Sequence, residues 1–141
     1  MNTTSRLTRI LAATAACGLL GVSLAGCSVV KSLVHQDAWA VTYEVTLDGT
    51  EPGELTGISY EAQALRGEEL ETVAADDITT NSWTQDAIVE VNTHSMITAM
   101  APEGRTASCR ILLDDTRVIA EETGEPGGSV TCETVTPSFD K

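Results

Sequence analysis

Positive charge and aromatic rings are both scarce in this chain. Eight Lys and Arg stand against 21 Asp and Glu, and the aromatic set is one Phe, two Trp and two Tyr. The first shortage argues against nucleic acid and anionic headgroups as partners, because their phosphates need a positive surface. The second leaves few platforms for stacking on sugars, so the many paired carboxylates (Glu68-Glu69, Asp76-Asp77, Asp114-Asp115, Glu121-Glu122) make a poor case for glycosidase chemistry. Only two histidines are present, His35 and His94. Neither sits in a nucleophile motif such as G-x-S-x-G, so the adjacent His94 and Ser95 read as a solvated turn pair rather than part of a triad. No C-x-x-C, H-x-x-x-H or EF-hand loop occurs, and no cofactor is implied.

Long apolar runs are also missing, with one exception. Ile10 to Val22 is apolar apart from Thr14, and Arg6 and Arg9 precede it. Its length of about 13 residues is short for a membrane span, which takes about 20. The run ends at Leu24-Ala25-Gly26-Cys27, and the whole has the three parts of a secretory signal with a lipoprotein cleavage box. Small residues at Ala25 and Gly26 give a peptidase access to the backbone, and the Cys27 thiolate accepts a diacylglyceryl group. Two acyl chains, at about 0.8 kcal/mol per buried methylene, suffice for stable anchoring. The expectation is a lipid-anchored protein on the extracytoplasmic face of the cell membrane. An ordinary secretory signal or an uncleaved anchor, with Cys27 incidental, is the competing reading.

Cleavage before Cys27 leaves 115 residues with a side-chain balance of −15, enough for one domain. The expected organisation is a signal over 1–26, a lipidated cysteine and tether over 27–38, a folded domain over 39–136 and a tail over 137–141. Cys17 leaves with the signal. Export makes the remaining pair, Cys109 and Cys132, a disulfide candidate closing a loop of about 24 residues, for roughly 3 kcal/mol. A zinc site drawing on these cysteines with His35 or His94 is the alternative, unsupported by spacing. Calcium at Asp76-Asp77 or Asp114-Asp115 competes with a plain solvated turn at each.

From Trp39 the pattern has period two, the mark of half-buried strands. Val41, Tyr43, Val45 and Leu47 share a face; Ile58, Tyr60 and Ala62 do so after a turn at Asp48-Gly49. Thr79 to Thr84 and Ala87 to Thr93 are β-rich, and a turn near Asn92 to Ser95 leads into a strand over His94 to Ala101. Ala107, Cys109, Ile111 and Leu113 alternate with polar partners and with Leu112 before Asp114-Asp115 turns the chain. Arg117 to Glu121 returns, Gly124 to Gly128 is a loop, and Val130, Cys132 and Thr134 share the face of a last strand. Leu65 to Asp77 reads as an acidic loop or a helical turn. About seven short strands with polar alternate positions predict an all-β, immunoglobulin-like antiparallel sandwich. Trp39 and Trp83 are either core fillers or contacts for a ligand or partner.

The order of landmarks, Val41-Thr42-Tyr43-Glu44-Val45-Thr46, Ile58-Ser59-Tyr60, Asn81-Ser82-Trp83-Thr84, Cys109-Arg110-Ile111, a two-acid hairpin and Cys132, resembles the extracytoplasmic domain of the mycobacterial membrane small proteins, the MmpS family. The likeness covers about residues 39 to 135. It implies an immunoglobulin-like sandwich, a Cys109–Cys132 disulfide, no enzymatic activity, and partnership with an MmpL-type exporter of the resistance-nodulation-division class that moves lipids or siderophores. Members of the family usually keep an uncleaved N-terminal membrane helix, whereas this chain has a lipoprotein box. Two functions follow as expectations: an interaction module accessory to such an exporter, or a carrier of a lipid or siderophore.

Overall fold

The alternation of Val41, Tyr43, Val45 and Leu47 becomes the inward face of β1 (Ala38–Leu47), all four buried. The computed structural model describes residues 37–139, so Cys17, Cys27, His35 and the signal and tether lie outside the described residues. The other strands are β2 (Glu54–Ala62), β3 (Glu71–Ala74), β4 (Ile78–Thr79), β5 (Ser82–Glu90), β6 (His94–Met100), β7 (Ala107–Leu113), β8 (Arg117–Thr123) and β9 (Ser129–Val135). Among the described residues there is no helix, and hence none long and apolar enough to cross a membrane.

Two antiparallel sheets form an open sandwich. One has the order β5-β1-β7-β8; the other has β3-β2-β6-β9, with β4 also pairing β2. The expected all-β antiparallel sandwich is therefore present, with nine strands rather than about seven. Part of the difference lies in Leu65 to Asp77, which is neither helix nor plain loop. Its segment Glu71–Ala74 lies along β2, and Ile78–Thr79 pairs with the other end of the same strand. Strand order differs from that of an immunoglobulin constant domain, whose first two strands are neighbours. Here β1 and β2 lie in different sheets, so the likeness is one of size and layering.

Between the sheets the inward faces interdigitate. Tyr43, Ile111 and Val45 meet Ile58, Ile97 and Leu55, all with essentially no exposure. Cys109 on β7 and Cys132 on β9 are joined by a disulfide, so the bond links one sheet to the other through the core. Both sulfurs belong to the apolar faces that the alternation marks. Leu112 departs from the alternation: it is on the outer face of its sheet yet nearly buried, level with Thr42 of β1 and Val118 of β8.

The β7–β8 hairpin turns through Asp114 and Asp115, both with positive φ (48° and 59°), and Thr116 N–H donates to Leu113 C=O at 3.1 Å. Within this three-residue connection, two successive left-handed residues spanned by that hydrogen bond have the geometry of a type I′ turn, which favours Asn and Gly. Asp114→Gly is expected to raise stability by about 0.5–1 kcal/mol, since it removes a Cβ from a left-handed position. A melting curve of the variant checks this, and an unchanged or lower midpoint counts against it.

Candidate interaction surfaces

Trp39 and Trp83 both lie on inward-facing registers of the sheet edge formed by β1 and β5, but at opposite ends. Trp39 pairs with Val89, and Trp83 pairs with Val45. The six residue steps from one rung to the other amount to about 20 Å of strand, so the two indoles form no common platform. Trp39 donates its Nε1–H to the Pro137 carbonyl at 2.7 Å, and its ring meets Phe139 at 4.3 Å between centroids. Residues 137–139, expected as a tail, thus pack on the first strand. Thr136 precedes them fully buried, with its backbone N–H donating to Thr93 C=O at 2.9 Å.

Trp83 ends an aromatic ladder, 5.5 Å from Tyr60, which is in turn 5.6 Å from Tyr43. The Tyr43 hydroxyl donates to the Glu61 carbonyl at 2.7 Å and so ties the two sheets together. Burial pushes its phenol up to about 12; the neighbouring Ser95 hydroxyl works against that rise, and the Glu61 carboxylate adds to it. Ser95 Oγ is itself buried and makes no well-formed hydrogen bond. Because the folded phenol titrates above its unfolded value of 10.0, its contribution is complete below pH 10 and is lost as pH rises through about 12. Alkaline unfolding is expected to remove on the order of 2–3 kcal/mol over that window, and Tyr43→Phe should flatten that part of the profile. Denaturant titrations of both proteins from neutral to high pH decide it; identical slopes would refute the assignment.

His94 is not in a turn but opens β6. Its Nδ1 lies 2.7 Å from Glu61 Oε2, and its Nε2 lies 3.8 Å from Glu133 Oε2. The ring stands on the outer face of its sheet. Ser95, next along the strand, points into the core, since successive side chains alternate faces. The two therefore form no nucleophile–base pair. His94 is likewise far in register from the Cys109–Cys132 bond, which removes the zinc alternative built on it. Neither acidic pair assembles calcium ligands: Asp77 accepts from Gly57 N–H, and Asp115 accepts from the Thr42 hydroxyl alongside Asp86. Among the described residues, no group of three metal-ligating side chains comes together.

Among the described residues, hollows open at the sheet edges. A polar groove of about 650 Å³ runs between β8 and β9, the edge strands of the two sheets, and carries Glu121, Glu122 and Glu133 on its walls. A smaller, mainly apolar groove of about 350 Å³ lies at the β5 edge, lined by Ala40, Tyr60, Ala62, Gln63, Asp86, Ala87 and Ile88. Neither tryptophan lines either groove. Sequence reasoning missed Tyr60 and Ile88 as surface-groove residues, because alternation reports which face a residue takes but not where a sheet edge leaves that face uncovered.

The two ends of the sandwich contrast. At the end reached by Leu47, Arg105 donates from Nε to Asp48 Oδ1 at 2.9 Å and from a terminal nitrogen to the Glu51 carbonyl at 3.1 Å. The Thr106 backbone N–H and then Arg105 hold the Asp48 carboxyl below its ordinary range. At the end where Ala38 begins β1, buried Gln63 acts as the bracket: its backbone N–H donates to Ile88 C=O, its side-chain amide donates to Glu68 C=O at 2.7 Å, and its Oε1 accepts from Glu90 N–H at 2.8 Å. Glu90 Oε1 in turn accepts from Gly67 N–H at 2.7 Å. No family model, curated protein or solved structure matches the chain.

Proposed function

We propose that the chain is a non-enzymatic interaction module, lipid-anchored through Cys27 on the extracytoplasmic face of the membrane, that docks onto an envelope component by its open sheet edges. The MmpS resemblance suggests an exporter of the resistance-nodulation-division class as that component. The observation that carries the reading is a filled interior beside unpaired edges. Between the sheets, Tyr43, Ile58, Ile97, Ile111 and the disulfide occupy the space a cargo would need. The hollows instead lie along the edge strands β8, β9 and β5, of which β5 is bridged by Gln63 at Ile88 and Glu90, leaving β8 and β9 as the edges open to a partner strand. A crosslinked pull-down of the lipidated protein from detergent-solubilised membranes tests it. Recovery of a polytopic exporter or another envelope protein, abolished by Pro substitutions on β8, is the expected result. Failure to recover any protein from wild-type membranes would sink the docking role.

A second reading is a lipid or siderophore carrier, and the apolar groove beside Tyr60 and Ile88 supports it, being of small-ligand size. Mass spectrometry of the purified protein under native conditions separates the two. A stoichiometric small molecule lost on Ala87→Trp favours the carrier; bare protein favours the module.

A further inference from the structure

The exposed large apolar side chains of the described residues are Leu65, Ile88, Met100, Val118, Val135 and Phe139. All but Met100 belong to the half of the sandwich where Ala38 begins β1. Ile88 is level with Ala40, Val118 with Thr42 and Val135 with His94; Phe139 lies on Trp39, and Leu65 follows the Gln63–Ile88 bridge. Met100 is at the far end, level with Ser129. Single exposed apolar residues are unremarkable, but their gathering at one end marks a contact surface.

Two features show that this exposure is built rather than incidental. Leu65, 64% exposed, sits on a loop fastened from beneath by Gln63, Glu68, Gly67 and Glu90. Phe139 and Val135 flank Thr136, whose hydroxyl donates to Glu90 C=O at 2.5 Å and whose oxygen accepts from Thr93 N–H at 3.1 Å. Cations follow the same placement. Of the four arginines in the described residues, Arg105 and Arg110 face carboxylates, whereas Arg66 and Arg117 have no carboxylate partner there. Arg66 is adjacent to Leu65, and Arg117 to Val118.

We infer that this end is a bilayer-contacting surface, on which Leu65, Val135 and Phe139 enter the interfacial region and Arg66 meets lipid phosphate. The inference rests on the lipid-anchor reading of Cys27. Asp37, where the described chain begins, is ten residues on from Cys27, so it stays within roughly 35 Å of the anchor even when the intervening chain is fully extended. Of the two ends of the sandwich, this is the one the tether from Cys27 joins. Apolar side chains seated about 5–10 Å into the headgroup boundary add to the acyl chains, and the Arg66 guanidinium can pair with the phosphate of a zwitterionic headgroup. The surrounding Asp37, Glu68, Asp114 and Asp115 oppose a seat on anionic lipid, so the surface suits a zwitterionic one. The opposite end, with its Asp48–Arg105 pair and Glu-lined groove, then faces away from the membrane.

The tryptophans supply a ruler. The full lipidated chain, in Trp39→Phe and Trp83→Phe forms, is placed in phosphatidylcholine vesicles carrying brominated acyl chains. Trp39, beside Phe139, is expected to be quenched at least about twofold more than Trp83, some 20 Å farther along the strand. Leu65→Asp with Phe139→Asp, both at exposed positions, should bring Trp39 to the Trp83 level while the protein stays on the vesicles. Equal quenching of Trp39 and Trp83 in the two vesicle-bound single-tryptophan forms overturns the inference and leaves that end for a protein partner. Failure of the wild-type chain to float with vesicles overturns the anchor reading itself, and the inference with it. Hydrogen exchange gives a second measurement without substitution: added vesicles should slow residues 65–68 and leave residues 124–128 unchanged, and the reverse pattern would refute the contact.

Discussion

Replacing both Cys109 and Cys132 by Ala is expected to cost about 3 kcal/mol and to lower the melting midpoint by roughly 10–20 °C. The bond closes a sequence separation of 23 residues, and that loop sets the size of the entropic term. Its position adds a second effect. The bond joins β7, flanked by β1 and β8, to β9, an edge strand paired on one side only by β6. Without it, β9 is held to the other sheet by packing, through side chains such as Val130, and by the Thr136–Glu90 and Trp39–Pro137 hydrogen bonds just past its end. Opening is expected to begin there, with the β9 amides exchanging fastest in the variant. Melting with and without reductant checks the larger effect; coincident curves would show that the crosslink contributes nothing.

Cys27→Ser is expected to abolish incorporation of labelled fatty acid and to shift the protein from the membrane pellet to the soluble fraction or to an unprocessed precursor. The effect should be close to all-or-none. Losing both acyl chains removes many buried methylenes at about 0.8 kcal/mol each, far beyond what a few exposed side chains restore. Equal labelling of mutant and wild type would refute the lipoprotein reading. Cys17→Ser, within the apolar run, serves as the matched control and should leave labelling unchanged.

The core was legible in the sequence because period-two alternation is strongest where a strand is buried on one face and wet on the other. Val41 to Leu47 and Ala107 to Leu113 are of that kind, and their inward residues are buried as expected. Edge strands were harder to read. Glu71–Ala74 has only Val73 and its neighbour Leu70 to signal a buried side, and the pairing with β2 that makes it a strand is not a local property. Leu112 breaks the alternation for a tertiary reason, since Thr42 and Val118 flank it on what would otherwise be a wet face. The contacts that shape the two ends were invisible. Trp39 meets Phe139 and Glu61 meets His94 across long separations in the chain, and single sequences carry no signal for such pairs. The candidate surfaces share that limit, because a groove is a property of where sheets stop.

The register of β1 bears on how the molecule comes into being. Ala38 pairs with Glu90 and Val41 with Leu113, so the first strand of the domain waits for partners that emerge from the ribosome some 50 to 70 residues later. No N-terminal portion can complete its backbone pairing alone. Pairing this distant is slow, on the order of milliseconds to seconds for β-sandwiches, and all-or-none once it begins. The first strand of such a nascent chain stays without its partners for most of the domain's synthesis, and until they arrive the sandwich cannot close against threading through a narrow pore.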